Sequence, residues 1–172
     1  MATTVISLNP AEARRYLSAL AEILVDCVEG GASVSFMLPF ALSDAERFYQ
    51  KVLSGLEAGD RTLFAAFDGE QLVGTVQLLT SMPPNQPHRA EVSKLLVHRS
   101  ARGKGMGAAL MQAVEEQARA CGKKLLVLDT ATGGDAERLY QRLNWNRVGV
   151  IPNFSQFPDG RWGDTTIFWK AV

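Results

Sequence analysis

Apolar residues recur along this chain with two periods, and the switches between them divide it into eleven elements. Residues 3–8 are rich in β-branched side chains and predict a first strand. Asn9 follows as an N-cap, with Pro10 at the first helical position and Glu12 at N3. Tyr16, Leu17, Leu20, Ile23, Leu24 and Cys27/Val28 keep a 3.6-residue period up to Gly30-Gly31, so one helix is expected there. Residues 32–42 are apolar but interrupted by Pro39. Ser43, with Glu46 three residues on, reads as a capping box for a second helix running to about Leu56 and closing at Gly59. Residues 61–68 and 71–81 predict two strands joined by Asp68-Gly69, a strong hairpin signal.

The loop 82–88 carries three prolines, and residues 90–98 predict the next strand. A helix over 105–121 would turn Leu110, Met111, Ala113, Val114 and Ala118 inward. Residues 124–130 are almost continuously apolar, as in a strand buried on both faces. A helix over 135–143 ends at Asn144, a residue that tolerates the left-handed conformation. Strands over 147–152 and 165–171 flank a loop, 153–163, rich in aromatics, Pro and Gly. The order is β-α-α-β-β-β-α-β-α-β-β. Short turns predict antiparallel neighbours, and the helix over 105–121 predicts a parallel pair, so the fold class is α/β with a mixed sheet. No repeat or linker interrupts residues 1–172, and one domain is expected.

Composition narrows the function classes. Eighteen basic and 18 acidic side chains cancel, leaving no basic excess for a nucleic-acid partner. The longest apolar run, residues 125–128, falls far short of the ~20 residues of a membrane helix, and no membrane partner is expected. The N-terminal stretch shows no basic segment leading into an apolar one, so a cytoplasmic location is expected. Cys27 and Cys121 lack ligand or redox spacing and read as two buried free thiols. His88 and His98 are isolated, and no metal site is expected.

The chemistry concentrates where a strand gives way to a helix, at Arg102-Gly103-Lys104-Gly105-Met106-Gly107. Glycines let backbone approach a ligand closely, and the first amides of a helix have no intrahelical acceptor. Such a turn favours an anion, and a diphosphate is a natural occupant. Other phosphate motifs fit badly. Lys104 is followed by Gly105 rather than Ser or Thr, and Asp129 lies too far on for a dinucleotide fingerprint.

Here the chain resembles the GNAT superfamily of N-acetyltransferases. Its main motif, a strand ending in Val five residues before Arg-x-x-Gly-x-Gly, is matched by Leu95-Leu96-Val97 and Arg102 to Gly107. A second, Ala-x-x-x-Tyr-x-x-x-Gly-Phe, is matched by Ala136, Tyr140, Asn144 and Trp145. The resemblance implies acetyl-CoA as cosubstrate, held between two splayed parallel strands. It implies cofactor contacts at Leu95, Leu96, Val97, Arg102, Gly103, Lys104, Gly105, Met106, Gly107, Ala108 and Tyr140. Gly133 stands where many members carry an Asn that contacts the pantetheine arm. The whole chain is similar to the tabtoxin-resistance acetyltransferases of pseudomonads, through Gly30-Gly31-Ala32-Ser33-Val34, Arg89-Ala90-Glu91-Val92, Lys94-Leu95, Ser100-Ala101-Arg102-Gly103, Leu128-Asp129-Thr130 and Pro158-Asp159-Gly160-Arg161. That likeness implies a small-molecule amine as acceptor, such as a toxin or antibiotic, and a monomer or homodimer.

Acetyl transfer to an amine needs a proton acceptor, a polarised carbonyl and a proton for the leaving thiolate. Glu91 and Asp129 lie on the two strands expected to be parallel, and either carboxylate could serve the amine, with Lys94 between them as a possible partner of one. Tyr140 occupies the family's general-acid position. Arg102, Lys104 and Arg99 are candidates to neutralise phosphate, Arg99 equally a solvated side chain. Residues 29–42 and 153–163 are expected to set specificity, with Phe36, Phe40, Phe154, Phe157 and Trp162 as pocket walls or core. Two other functions fit the same motifs: acetylation of a protein or peptide amine, and a CoA-binding module without catalysis.

Overall fold

In the computed structural model, which describes residues 3–172, seven strands form one mixed sheet. They are β1 (Thr3–Leu8), β2 (Arg61–Asp68), β3 (Gln71–Leu79), β4 (Arg89–Val97), β5 (Leu125–Ala131), β6 (Asn146–Gln156) and β7 (Trp162–Ala171). Their order is β1-β2-β3-β4-β5-β7-β6, and β4–β5 alone is parallel. The last strand therefore inserts between β5 and β6. The helices are α1 (Pro10–Arg15), α2 (Leu17–Glu29), α3 (Leu42–Glu57), α4 (Met106–Ala120) and α5 (Asp135–Arg142).

Alternation along the strands builds two cores, one on each face of the sheet. On β2, Leu63, Ala65 and Phe67 pack against α2 and α3, alongside Leu20, Leu24, Tyr49 and Val52. Phe64 and Ala66 point the other way, toward Leu110, Met111 and Val114 of α4. Burial on both faces explains why β2 reads as an uninterrupted apolar run. Truncating a fully buried residue such as Leu110 to Ala would cost about 2–5 kcal/mol, because the cavity cannot close.

Most local signals act as expected. Asn9 and Glu12 form a reciprocal capping box. Asn144 takes φ 60°, and the Trp145 amide reaches back to the Tyr140 carbonyl at 3.0 Å, closing α5. Three expectations are corrected. The first helix breaks at Tyr16, whose dihedrals leave the helical region while its ring sits edge-on to Phe67 at 5.4 Å. The second helix starts before Ser43: Asp44, not Glu46, is the N3 acceptor, taking the Ala41 amide at 2.9 Å. The loop expected over 153–163 is mostly strand, and only the tip between Gln156 and Trp162 turns. Pro152 is tolerated because β6 is an edge strand and its register shifts there.

Cys27 is buried but Cys121, at the end of α4, is exposed. Among the described residues no helix is long and apolar enough to cross a membrane.

Candidate active site

The site begins as a failure of strand pairing. β4 and β5 run in register at Arg89–Leu125, Ala90–Leu126 and Glu91–Val127, and then part. Against β3, the register of β4 shifts between Leu96 and Ser93, placing two residues of β4, Lys94 and Leu95, across one of β3, Val76. Lys94 stands in this bulge with φ 55°. A bulge bends its strand, and a left-handed Lys costs roughly 1 kcal/mol that a Gly would avoid. The sequence carries a trace of it: Ala90 and Val92 keep one phase of alternation, and Leu95 and Val97 keep the other.

The splay opens a groove of about 1020 Å³ between the strands. Its lining includes Leu95, Leu96, Val97 and, where α4 begins, Arg102, Gly103 and Gly105. Met106, Gly107, Ala108 and Tyr140 line it too, so all but one of the residues expected to hold the cofactor face the same space. The exception is Lys104, whose ammonium pairs with Asp68 at 3.2 Å.

Gly105 caps α4 in the left-handed region (φ 82°), and no side chain caps the helix. The Met106, Gly107 and Ala108 amides therefore have no intrahelical acceptor, and the first bond of the helix runs from Ala109 to the Gly105 carbonyl. A Cβ on Gly105 would meet no protein atom within 4 Å, so the space beside it is open to a ligand. Free amides, positive helix end and open cradle together suit a diphosphate. Arg102 turns its Nε to the Val97 carbonyl at 3.0 Å, fixing the guanidinium over the groove. Arg99 does not reach it. It binds Asp26 through its amide and side chain, tying the turn after β4 to α2. Burial alone would raise the Asp26 pKa, and the hydrogen bonds from Arg99 outweigh it, holding the carboxyl below its ordinary value.

The proton-handling candidates separate. Asp129 lines the groove, with Oδ2 accepting from Thr165 at 2.9 Å. Glu91 stands at the last paired register, outside the groove lining, and takes Arg89 Nη1 at 2.6 Å. Tyr140, 5% exposed, packs on Trp145 and Phe168 with its ring centroid 5.9 Å from each. Burial, with a smaller contribution from Asp129, pushes its phenol well above its ordinary value and keeps it protonated.

The two segments expected to set specificity, 29–42 and 153–163, touch each other. Ser33 Oγ lies 3.2 Å from Ser155 Oγ, and the Leu38 amide donates to the Pro158 carbonyl at 3.0 Å. Of the five aromatics, Phe157 lines the groove. Phe36 and Phe40 pack against Phe48 and the α2–α3 core, whereas Phe154 and Trp162 are exposed.

Lys94 makes no ion pair with Glu91 or Asp129 among the described residues, and Glu137 is a further residue not anticipated. Lys94 enters the groove and donates from Nζ to Ser35 Oγ at 3.2 Å. Glu137 is buried, takes the Gly133 amide and accepts from Thr166 Oγ1 at 2.8 Å, holding the turn that launches α5. No local pattern announces Glu137, because its partners come from β7 and the preceding turn. Among the described residues no three His, Cys, Asp or Glu side chains are grouped to hold a metal ion.

Known structures share this architecture. An N-acetyltransferase from Staphylococcus aureus Mu50 is 20% identical, with TM-score 0.81 and 99% of both chains covered. A ribosomal-protein-alanine N-acetyltransferase from Brucella melitensis is 24% identical, with TM-score 0.79, covering 98% of this chain and 99% of its own. The yncA protein of Salmonella typhimurium, solved with acetyl-CoA, is 21% identical, with TM-score 0.78, covering 99% and 94%. At these identities the likeness establishes the fold. The model of the Acetyltransferase (GNAT) family matches residues 18–145, from α2 through both motifs to Trp145. With the splayed strands and the open end of α4 inside that match, the chain belongs to the GNAT acetyltransferase family, whose acetyl donor is acetyl-CoA.

Proposed function

We propose that the protein transfers the acetyl group of acetyl-CoA to the primary amine of a small molecule, by direct attack within a ternary complex. The observation that carries this reading is the uncapped N-terminus of α4 opening into the groove between β4 and β5. The Met106, Gly107 and Ala108 amides, with Gly103, Gly105 and Arg102, would hold the diphosphate, and Lys104 would contribute charge at the rim. The backbone of Leu95, Leu96 and Val97 would flank the arm, with the Val97 carbonyl already engaged by Arg102. Acetyl-CoA supplies an acetyl thioester, a carbonyl activated for attack by an amine.

The chain's own groups handle the protons. Asp129 is placed to orient the incoming ammonium and accept its proton, directly or through water. Glu91, held by Arg89, is the alternative base. Tyr140, kept neutral by burial, is placed to donate to the departing thiolate. A small acceptor, of the toxin or antibiotic type, is supported by the loop stretches shared with the tabtoxin-resistance acetyltransferases, two of which, Gly30–Val34 and Pro158–Arg161, lie in the segments that touch through Ser33–Ser155 and Leu38–Pro158. The reading places a monomer or homodimer in the cytoplasm, in keeping with two unpaired thiols.

A thiol-release screen tests this, with β-lactam-bearing amino acids, aminoglycosides and other small amines set against peptides. Release with small amines is the expected result. Transfer to peptides alone would move the acceptor class, and acetyl-CoA binding without release by any amine would favour a non-catalytic module.

A further inference from the structure

Lys94 is an unusual residue to find in a β-bulge. Its backbone is left-handed, and so is that of its hydrogen-bond partner Ser35 (φ 55° and 81°). Left-handed non-glycine residues in contact across a groove mark a place where backbone strain is retained. The bulge carries an ammonium into the groove, where its protein partner is one neutral hydroxyl. An ammonium has three donors, so two remain free.

Across the groove stands Asp129. Its charge acts on Lys94, opposing the lowering of the lysine pKa by burial. Yet among the described residues Lys94 makes no ion pair within 4.0 Å. The other charged groups along the groove are held or placed elsewhere: Arg142 closes α5, whose Leu139 packs against Gly107 at the start of α4. Arg102 is held on the Val97 carbonyl, and Asp135 pairs with Arg138. The wall beside Lys94 offers Ser33, Val34, Ser35 and Phe157, none of them charged. Lys94 and Asp129 therefore line one groove, each hydrogen-bonded to a hydroxyl and neither in direct ion pairing with the other.

Building on the N-acetyltransfer reading, we infer that the acceptor is a zwitterion of the amino-acid type, its ammonium directed to Asp129 and its carboxylate held by Lys94 and Ser35. The substrate thus completes two half-satisfied sites at once. An amine lacking the carboxylate would leave the half-buried Lys94 ammonium without an anion and would lose a charge-assisted hydrogen bond.

The test compares phenylalanine with its methyl ester and with phenethylamine, and repeats the trio with a second, smaller amino acid, reading kcat/KM by thiol release. Esterification lowers the amine pKa and decarboxylation raises it, so a fall with both identifies the carboxylate as the cause. Wild type is expected to favour the free acids by roughly 10–100-fold. In Lys94→Met that ratio should collapse toward one through KM for the acids, and Lys94→Arg should restore much of it. A general structural role for Lys94 would instead depress acids, esters and amines together. A wild-type ratio near one, or a ratio unchanged in Lys94→Met, overturns the inference while leaving N-acetyltransfer intact. No thiol release with any of these amines, from protein that binds acetyl-CoA, overturns the N-acetyltransfer reading and this inference with it.

Discussion

Strand β5 has two edges, and they differ. Toward β7 it is paired along all seven of its residues, Leu125–Ala171 to Ala131–Thr165. Toward β4 it pairs at three positions, and beyond Val127 the two strands separate. The closed edge satisfies its backbone groups internally. The open edge leaves them to solvent or to a ligand, and an unsatisfied buried backbone group costs about 1–3 kcal/mol. Of the proton-handling candidates, Asp129 and Tyr140 line the groove beside the open edge and Glu91 does not. In this fold the groove is made by withholding sheet hydrogen bonds, with one bulge at Lys94 as the local device.

The largest effect should come from closing the open end electrostatically. Gly105→Glu places a carboxylate where the diphosphate would lie, and acetyl-CoA affinity should fall at least ~100-fold by calorimetry. Unchanged affinity would move the cofactor off α4. Next are the two groups that reach into the opening. Tyr140→Phe should lower kcat roughly 100-fold with acetyl-CoA affinity nearly kept, and Asp129→Asn should lower kcat/KM for the amine by a similar factor. Equal loss of binding and turnover in Tyr140→Phe would reduce that residue to core packing.

The closed edge should answer in stability instead. Thr166 donates to Glu137 at 2.8 Å inside the protein, and Thr166→Val leaves that carboxylate under-satisfied. Urea unfolding should show a loss of about 2 kcal/mol, with cofactor affinity changed less than about threefold. A large affinity loss without destabilisation would blur the distinction between the edges. The smallest effect is expected at Glu91→Gln, under about twofold in turnover, because Glu91 sits outside the groove with 46% of its side chain exposed. A loss there matching Asp129→Asn would make Glu91 the base.

The fold was legible wherever a local rule governs. The Asn9–Glu12 box, the Asp68-Gly69 hairpin, the left-handed Asn144 and the glycine turn before α4 are short-range chemistry, and all appear as read. At the break, Tyr16 packs on Phe67, far along the chain, a contact that no periodicity can reveal. The insertion of β7 between β5 and β6, and the extension of β6 and β7 into an expected loop, follow from pairing between strands rather than from either strand alone.

The site divides in the same way. Its glycines and Tyr140 were readable from motif spacing. The pairing of Lys104 with Asp68 and of Arg99 with Asp26 joins residues 36 and 73 positions apart, so neither carboxylate partner could be read from the sequence alone. Lys94 reads from the sequence only as a partner of Glu91 or Asp129; the phase slip around it, from Ala90 and Val92 to Leu95 and Val97, is the clue to the bulge.

The most direct measurement is a crystal structure of the complex with acetyl-CoA. The account predicts the diphosphate within hydrogen-bonding distance, about 3 Å, of the Met106, Gly107 and Ala108 amides, with the arm lying between β4 and β5. Density for the coenzyme elsewhere, with the turn at Gly103 and Gly105 filled by protein side chains, would contradict it.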